Sequence, residues 1–254
     1  MNSTVKTQQG LTLIELLISL LIGTILILAI TQVFIDNRNN YLFQQGQSDN
    51  NENARYTLLV FEEEIRRTGY RISPDIPFDQ SFRPVTSGSC VFARGQTITF
   101  DGTSNRLCLR YQPHLPSTLA CDGVVQTGPS EPYSTGSSVP EVIVRIEVIN
   151  NQIQCNGIPI TADLAEFQLE FGISNNESRE SDEFKLTPTA SDNIQSIRYA
   201  ALLRSRSSNL TDSTTSSAYA TWHKVRNGVD GVEAPDRALY LMTESTINLR
   251  NLSR

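Results

Sequence analysis

The residue in this chain most in need of a chemical reason is a lone acid. Between residues 11 and 35 the only ionisable side chain is Glu15. A carboxylate well inside a membrane helix costs about 2.5–3.5 kcal/mol on insertion scales, and less near an end. Glu15 falls early in any helix formed here, where the positive end of the macrodipole returns only a few tenths to about 1 kcal/mol. A deficit remains, so a cationic partner is expected. Gly10 stands directly before the apolar run, after the polar stretch "MNSTVKTQQ", whose single basic residue is Lys6.

Other candidate chemistries are thin. Cys90, Cys108, Cys121 and Cys155 all follow the apolar run, and none lies in a C-x-x-C pair, which argues against a zinc or thioredoxin-like site. An even number of cysteines beyond a membrane segment fits an oxidising compartment such as a bacterial periplasm. The plainer alternative is four unrelated buried thiols in a cytosolic domain. His114 sits in the proline-bounded "QPHLP" and reads as a loop residue; His223 follows Trp222. No H-E-x-x-H, G-x-S-x-G, G-x-G-x-x-G or P-loop occurs, so no catalytic residue, cofactor or metal site is assigned. Residues 175–185, "NNESRESDEFK", gather Glu177, Glu180, Asp182 and Glu183, whose oxygens could hold calcium. They lack the EF-hand spacing and read as a solvated loop. A net charge of −6 and a pI near 5.0 argue against a nucleic-acid partner.

These residues need elements to position them. The run 11–35 suffices to span a bilayer, which takes about 20 helical residues. A secretory signal would follow it with a small-x-small cleavage site, but "LAITQV" offers only Ala29. A retained membrane helix with its N-terminus in the cytoplasm is the simpler reading. Beyond it, "DNRNN" could loosen the helix, and Gly46 is a second weak point. Ala54, Leu58, Phe61 and Ile65 then form an apolar stripe. Arg66, Arg67 and Gly69 supply a helix stop. One helix from near Leu11 to Thr68 is expected, with two helices parted at 36–40 as the alternative.

From Ser73 the texture changes to short alternating runs. "QTITFD" (96–101) and "RLCLRY" (106–111) read as one hairpin, and "EVIVRIEVINNQIQC" as a second with Asn150-Asn151 at its turn. "EFQLEFGI", with Phe167, Leu169, Phe171 and Ile173 inward, "SIRYAALLRS" and "RALYLMTESTINLRN" give further strands. The Ser/Thr-rich stretch 205–221 reads as a flexible loop. An antiparallel sheet against the amphipathic half of the helix satisfies these faces.

"GLTLIELLISL" resembles the class III signal of type IV pilins and type II secretion pseudopilins. The resemblance implies cleavage by a prepilin peptidase between Gly10 and Leu11, methylation of Leu11, and an assembly role for Glu15, which would meet the N-terminal amine of a neighbouring subunit. Phenylalanine is usual at the first mature position, so Leu11 is a departure. Residues 52–70, "ENARYTLLVFEEEIRRTGY", resemble the "ENxR…L…(D/E)xRxxGY" segment of the PilW family of minor pilins through Glu52, Asn53, Arg55, Leu59, Arg66, Gly69 and Tyr70. Cys155 through "ADLAEFQLEFGIS", then "SIRYAALLRSRS" and the closing "INLRN", follow the same family order. The resemblance is loosest at 71–91 and 205–221.

A PilW-like chain implies an α+β, type IV pilin-like fold: a long N-terminal α-helix, transmembrane in its first half, packed on an antiparallel β-sheet head. The corresponding segments are a leader (1–10), a transmembrane and filament-core helix (11–35), its amphipathic continuation (36–69) and a periplasmic β-rich head (70–254). The implied protein is a minor pilin, not an enzyme, that waits in the bacterial inner membrane and then joins the pilus, initiating or assembling it in a tip or priming complex. Its implied partners are other minor pilins and the major pilin, the prepilin peptidase, the inner-membrane assembly platform and a tip adhesin. A J-like type II secretion pseudopilin is the first alternative, counted against by "ENAR…RRTGY" and "LRN". A signal-anchored periplasmic binding or hydrolytic domain is the second. The four cysteines permit three pairings. Cys90–Cys108 and Cys121–Cys155 are expected, because Cys108 lies on the polar face of its strand within reach of the preceding segment. Cys155 closes the second hairpin, and "ACDG" resembles the family's cysteine before it.

Overall fold

The computed structural model describes residues 10, 12–114, 116–131, 133, 140–175 and 180–252. The leader before Gly10, Leu11, and Glu177 of the acidic loop lie outside the described residues. Helix α1 (Leu13–Arg67) runs without interruption through 36–40 and Gly46, so the two-helix alternative is not what forms. The chain divides into two compact units, Met1–Gln45 and Gly46–Arg254.

In the first unit α1 leaves its large apolar side chains exposed, from Leu13 to Ile35. By length and composition it is long and apolar enough to cross a membrane. Its few hydroxyls are satisfied within the helix. Ser19 Oγ donates to Glu15 O at 2.8 Å, Thr24 Oγ1 to Leu21 O at 2.8 Å and Thr31 Oγ1 to Ile27 O at 2.7 Å. A helix in lipid needs this, because a polar group without a partner there costs several kcal/mol.

The second unit continues from α1 through α2 (Phe78–Ser81), β1 (Val85–Ser87), β2 (Cys90–Phe92), β3 (Ile98–Asp101), β4 (Arg106–Tyr111), β5 (Ser117–Leu119) and β6 (Val125–Thr127). Then come β7 (Val142–Ile149), β8 (Gln152–Cys155), β9 (Ile158–Pro159), β10 (Leu164–Ile173), β11 (Glu183–Lys185) and β12 (Ile194–Arg204). Helix α3 (Ser217–Trp222), a π-helical turn (His223–Asn227) and β13 (Tyr240–Asn248) complete it. The expected single sheet is two: a five-stranded sheet in the order β3-β4-β7-β8-β9 and a four-stranded one in the order β11-β10-β12-β13, with hairpins β1-β2 and β5-β6 beside them. Every pairing is antiparallel. The fold is α+β.

One core joins helix and sheets. Phe61 and Ile65 of α1 are fully buried, with Leu107, Leu109 and Val144 of the first sheet and Phe171, Ile197 and Tyr199 of the second. The Phe61 ring stacks on Tyr199 at 4.8 Å and meets Phe167 at 5.7 Å, while Phe100 and Phe171 bridge the two sheets at 5.0 Å. Each such ring buries about 150–250 Å² and adds roughly 0.5–1.5 kcal/mol per favourable pair. Gly46, read from sequence as a weak point, is instead a close approach: a Cβ there would lie 3.1 Å from both Leu210 Cδ1 and Ser205 Cβ.

The polar face of β4 is covered by the preceding segment: Cys108 and Arg110 are buried beneath the stretch that carries Phe82, Cys90 and Phe92. One expectation fails. Part of the stretch read as a flexible Ser/Thr loop is ordered. Ser216 Oγ accepts from Tyr219 N–H at 3.3 Å, capping α3, and Trp222 packs on Ala200 and Leu202 on the outer face of the second sheet.

Candidate functional site

The candidate assembly segment begins at Gly10, which is exposed; a Cβ built there meets nothing within 4 Å among the described residues. Packing in this fold therefore does not demand glycine at that position. Thr12 caps α1. Its Oγ1 accepts from Glu15 N–H at 3.3 Å, and its carbonyl accepts from Glu15 N–H at 3.1 Å and Leu16 N–H at 3.2 Å. Glu15 thus occupies the third helical position of a T-x-x-E start, where a carboxylate also faces the positive helix end. Sequence reasoning passed over Thr12, although the T-x-x-E spacing was there to be read. Leu11, the residue expected to be methylated, lies outside the described residues.

At the other end of α1 the quoted family motifs meet. Gly69 takes φ +73°, a left-handed conformation suited to glycine just past a helix end, and its N–H donates to Arg110 O at 3.0 Å. Asn251, from the closing "LRN", caps the last carbonyls of α1 through Nδ2, donating to Arg66 O at 2.8 Å and Thr68 O at 3.2 Å. Tyr70 O accepts from Gln112 N–H at 3.0 Å. The "RRTGY" and "LRN" elements, far apart in sequence, are therefore two halves of one helix terminus.

Two buried ionisable groups went unnoticed in sequence. Glu64, on the buried face of α1, is 1% exposed and accepts from Tyr111 Oη at 3.0 Å and Arg67 Nη1 at 3.2 Å. Burial raises its pKa from 4.5 to about 7, although Arg67 and Tyr111 pull the other way. Burial, with Glu64 beside it, also pushes the Tyr111 hydroxyl up. The raised carboxyl has a consequence for stability. Between 4.5 and about 7 the folded chain holds a proton the unfolded chain has released, so stability falls as pH rises through that window. The full fall is about 3 kcal/mol. Glu64→Gln should flatten this slope, so that the variant gains on the wild type by about that amount between about pH 5 and about pH 8. Urea midpoints at the two pH values measure it; parallel slopes in the two proteins would contradict it.

Arg110 is the second. Its guanidinium is wholly buried and donates to the carbonyls of Arg83 at 2.7 Å, Ala93 at 3.0 Å and Phe82 at 3.4 Å, as well as to Gln96 O. Glu141 lies 3.3 Å away, and the Phe82 and Phe92 rings flank the group at 5.0 and 4.8 Å. Burial draws the guanidinium pKa down, and Glu141 opposes that. The arrangement fastens segment 82–96 over β4. Nearby, disulfides join Cys90 to Cys108 and Cys121 to Cys155. Bridges of this kind contribute about 2–4 kcal/mol each, in the chain-entropy account by restricting the unfolded chain.

His114 is exposed beside the Tyr70 ring, and His223 lies in the π turn against Glu166 at 3.3 Å. Among the described residues no set of three or more His, Cys, Asp and Glu could hold a metal ion.

Residues 5–31 match the prokaryotic N-terminal methylation motif. That motif, opening an apolar helix that leads into antiparallel sheets, defines a type IV pilin-like protein. Residues 133–251, a little under half of the chain, match Type IV Pilus-assembly protein W, so this part of the head is similar to that family. No curated protein matches it. Among solved structures it is similar to a type IV-like pilin from Thermus thermophilus, at 12% identity and a TM-score of 0.45, over 80% of this chain and 96% of that one.

Proposed function

We propose that this chain is a minor pilin cut between Gly10 and Leu11 by a prepilin peptidase, methylated on Leu11, and carried from the bacterial inner membrane into a type IV pilus. There it takes part in initiating the filament, in a tip or priming complex with other minor pilins. It does no catalysis of its own. Glu15 supplies register: in the filament core its carboxylate meets the N-terminal amine of a neighbouring subunit, in a low-dielectric setting where such a pair interacts strongly. The observation that carries this reading is the methylation motif and its lone acid in the same chain as the PilW match.

Gly10 supports the reading from another side. Among the described residues nothing lies within 4 Å of a Cβ built there, so packing leaves the position free for a recognition role. Gly10→Val is therefore expected to leave the head folded and the leader attached, seen as an unshifted precursor mass with both disulfides intact. A variant that is still cut to Leu11 would contradict the reading.

A further inference from the structure

The charges that bracket the apolar part of α1 measure out a bilayer. Glu15 and Asp36 stand on either side of it, and the 20 residues between them, 16–35, carry no ionisable group. At about 1.5 Å per helical residue this stretch reaches about 30 Å, the thickness of the hydrocarbon core. A bilayer centred on the longer run 11–35 would instead enclose Glu15 and the start of the helix.

Both ends of the stretch favour the narrower placement. Helix α1 starts at Leu13, and the first turn of a helix leaves backbone N–H groups without intrahelical carbonyls. In hydrocarbon each bare group costs several kcal/mol, whereas water in the headgroup layer takes it. Helical side chains lean toward the N-terminus, so the Glu15 carboxylate leans away from the apolar stretch. At the other end the same lean carries Asp36 back toward it. There Gln32, the one side-chain amide within 16–35, donates through Nε2 to Asp36 Oδ1 at 3.0 Å. Phe34, Arg38 and Tyr41, all exposed, are spaced four and three apart and share a face. Going outward, that face offers a ring to the lipid tails, a guanidinium to the phosphates and a phenol to the interface.

We infer that the membrane holds this chain by residues 16–35, with Arg38 and Tyr41 against the outer lipid headgroups and Glu15 in the headgroup layer of the opposite leaflet. The inference rests on the reading of the chain as a membrane-held pilin and adds the depth at which it waits. In storage the Glu15 carboxylate is then solvated by water and headgroups and needs no cation. Its enclosure, and with it the need for a neighbour's amine, comes on entry into the filament. The bond between Gly10 and Leu11, further out still, stands clear of the hydrocarbon and open to a peptidase.

The test uses the full, uncut chain in vesicles of phosphatidylethanolamine and phosphatidylglycerol. Single cysteines, placed one at a time from Ile14 to Tyr41, carry a nitroxide label. The native cysteines are held in disulfides and take none. Collisions with oxygen, which concentrates in hydrocarbon, against those with a nickel chelate, which stays in water, rank the labels by depth. The expected profile is deepest between Ile25 and Leu26, and the chelate reaches a label at Ile14 as readily as one at Arg38. A profile deepest at Gly23, a displacement of about 4 Å, with the Ile14 label shielded from the chelate, would overturn the inference and leave the pilin reading intact. Chelate access along the whole of 16–35 would show a chain that does not cross the membrane, and overturns that reading as well.

Discussion

Replacing Glu15 with alanine is expected to leave the chain cut and held in the membrane while removing it from sheared pili. Loss of the carboxylate leaves residues 11–35 without an ionisable side chain, so membrane insertion is favoured by as much as about 2.5–3.5 kcal/mol, less for a position near the helix end. The helix start survives, because Thr12 receives the backbone N–H of residue 15, which alanine keeps. On the role proposed for Glu15, what is lost is a partner for a neighbour's amine in the filament core. Removing one member of a buried pair costs about 3–5 kcal/mol, which corresponds to two or more orders of magnitude in incorporation. Quantitative immunoblots of membrane and pilus fractions measure the ratio. A normal share in pili would mean that Glu15 serves only the helix terminus.

Arg110→Met should be the most destabilising single change in the head. The guanidinium is wholly buried, and its bonds to four carbonyls tie residues 82–96 to β4. Methionine approximates the apolar volume but offers no donor. The carbonyls and Glu141 are left without their cation, a loss of about 3–5 kcal/mol by analogy with broken buried pairs. Against a typical domain stability of about 5–15 kcal/mol that is a large fraction. Glu141→Gln, which keeps the guanidinium and its carbonyl bonds, should cost much less, since Glu141 is partly exposed. Chemical denaturation of the three proteins orders them. Equal midpoints for wild type and Arg110→Met would show that segment 82–96 is held by the Cys90–Cys108 bridge alone.

What could be read in the sequence was whatever a single periodicity decides. Of the stripe Ala54, Leu58, Phe61 and Ile65, three residues are buried on α1 and Leu58 is partly buried against the same core, and β4 runs over the same residues as its alternating pattern. Asn150 and Asn151 take φ of 52° and 58°, the left-handed pair a tight hairpin turn requires. The next turn, Asn156-Gly157, carries the same signal at φ 50° and 87° and went unread, so β9 was missed. Other features depend on contacts that no local pattern encodes. Arg110 shares the polar face of β4 with Cys108, and only the folded segment 82–96 shows that its guanidinium is buried. Glu64 sits among "EEE", and nothing there tells which of three acids turns inward. The Ser/Thr-rich stretch hid α3 because its serines suit both a loop and the cap that Ser216 supplies. At the helix start, the acid was legible as an anomaly and Thr12, its local partner, was not.

The most direct test is the N-terminal mass and sequence of the mature chain recovered from pili. The expected result is a chain that begins at Leu11 and carries one added methyl group on its amine. A chain that still begins at Met1, or one absent from pili altogether, would contradict the account.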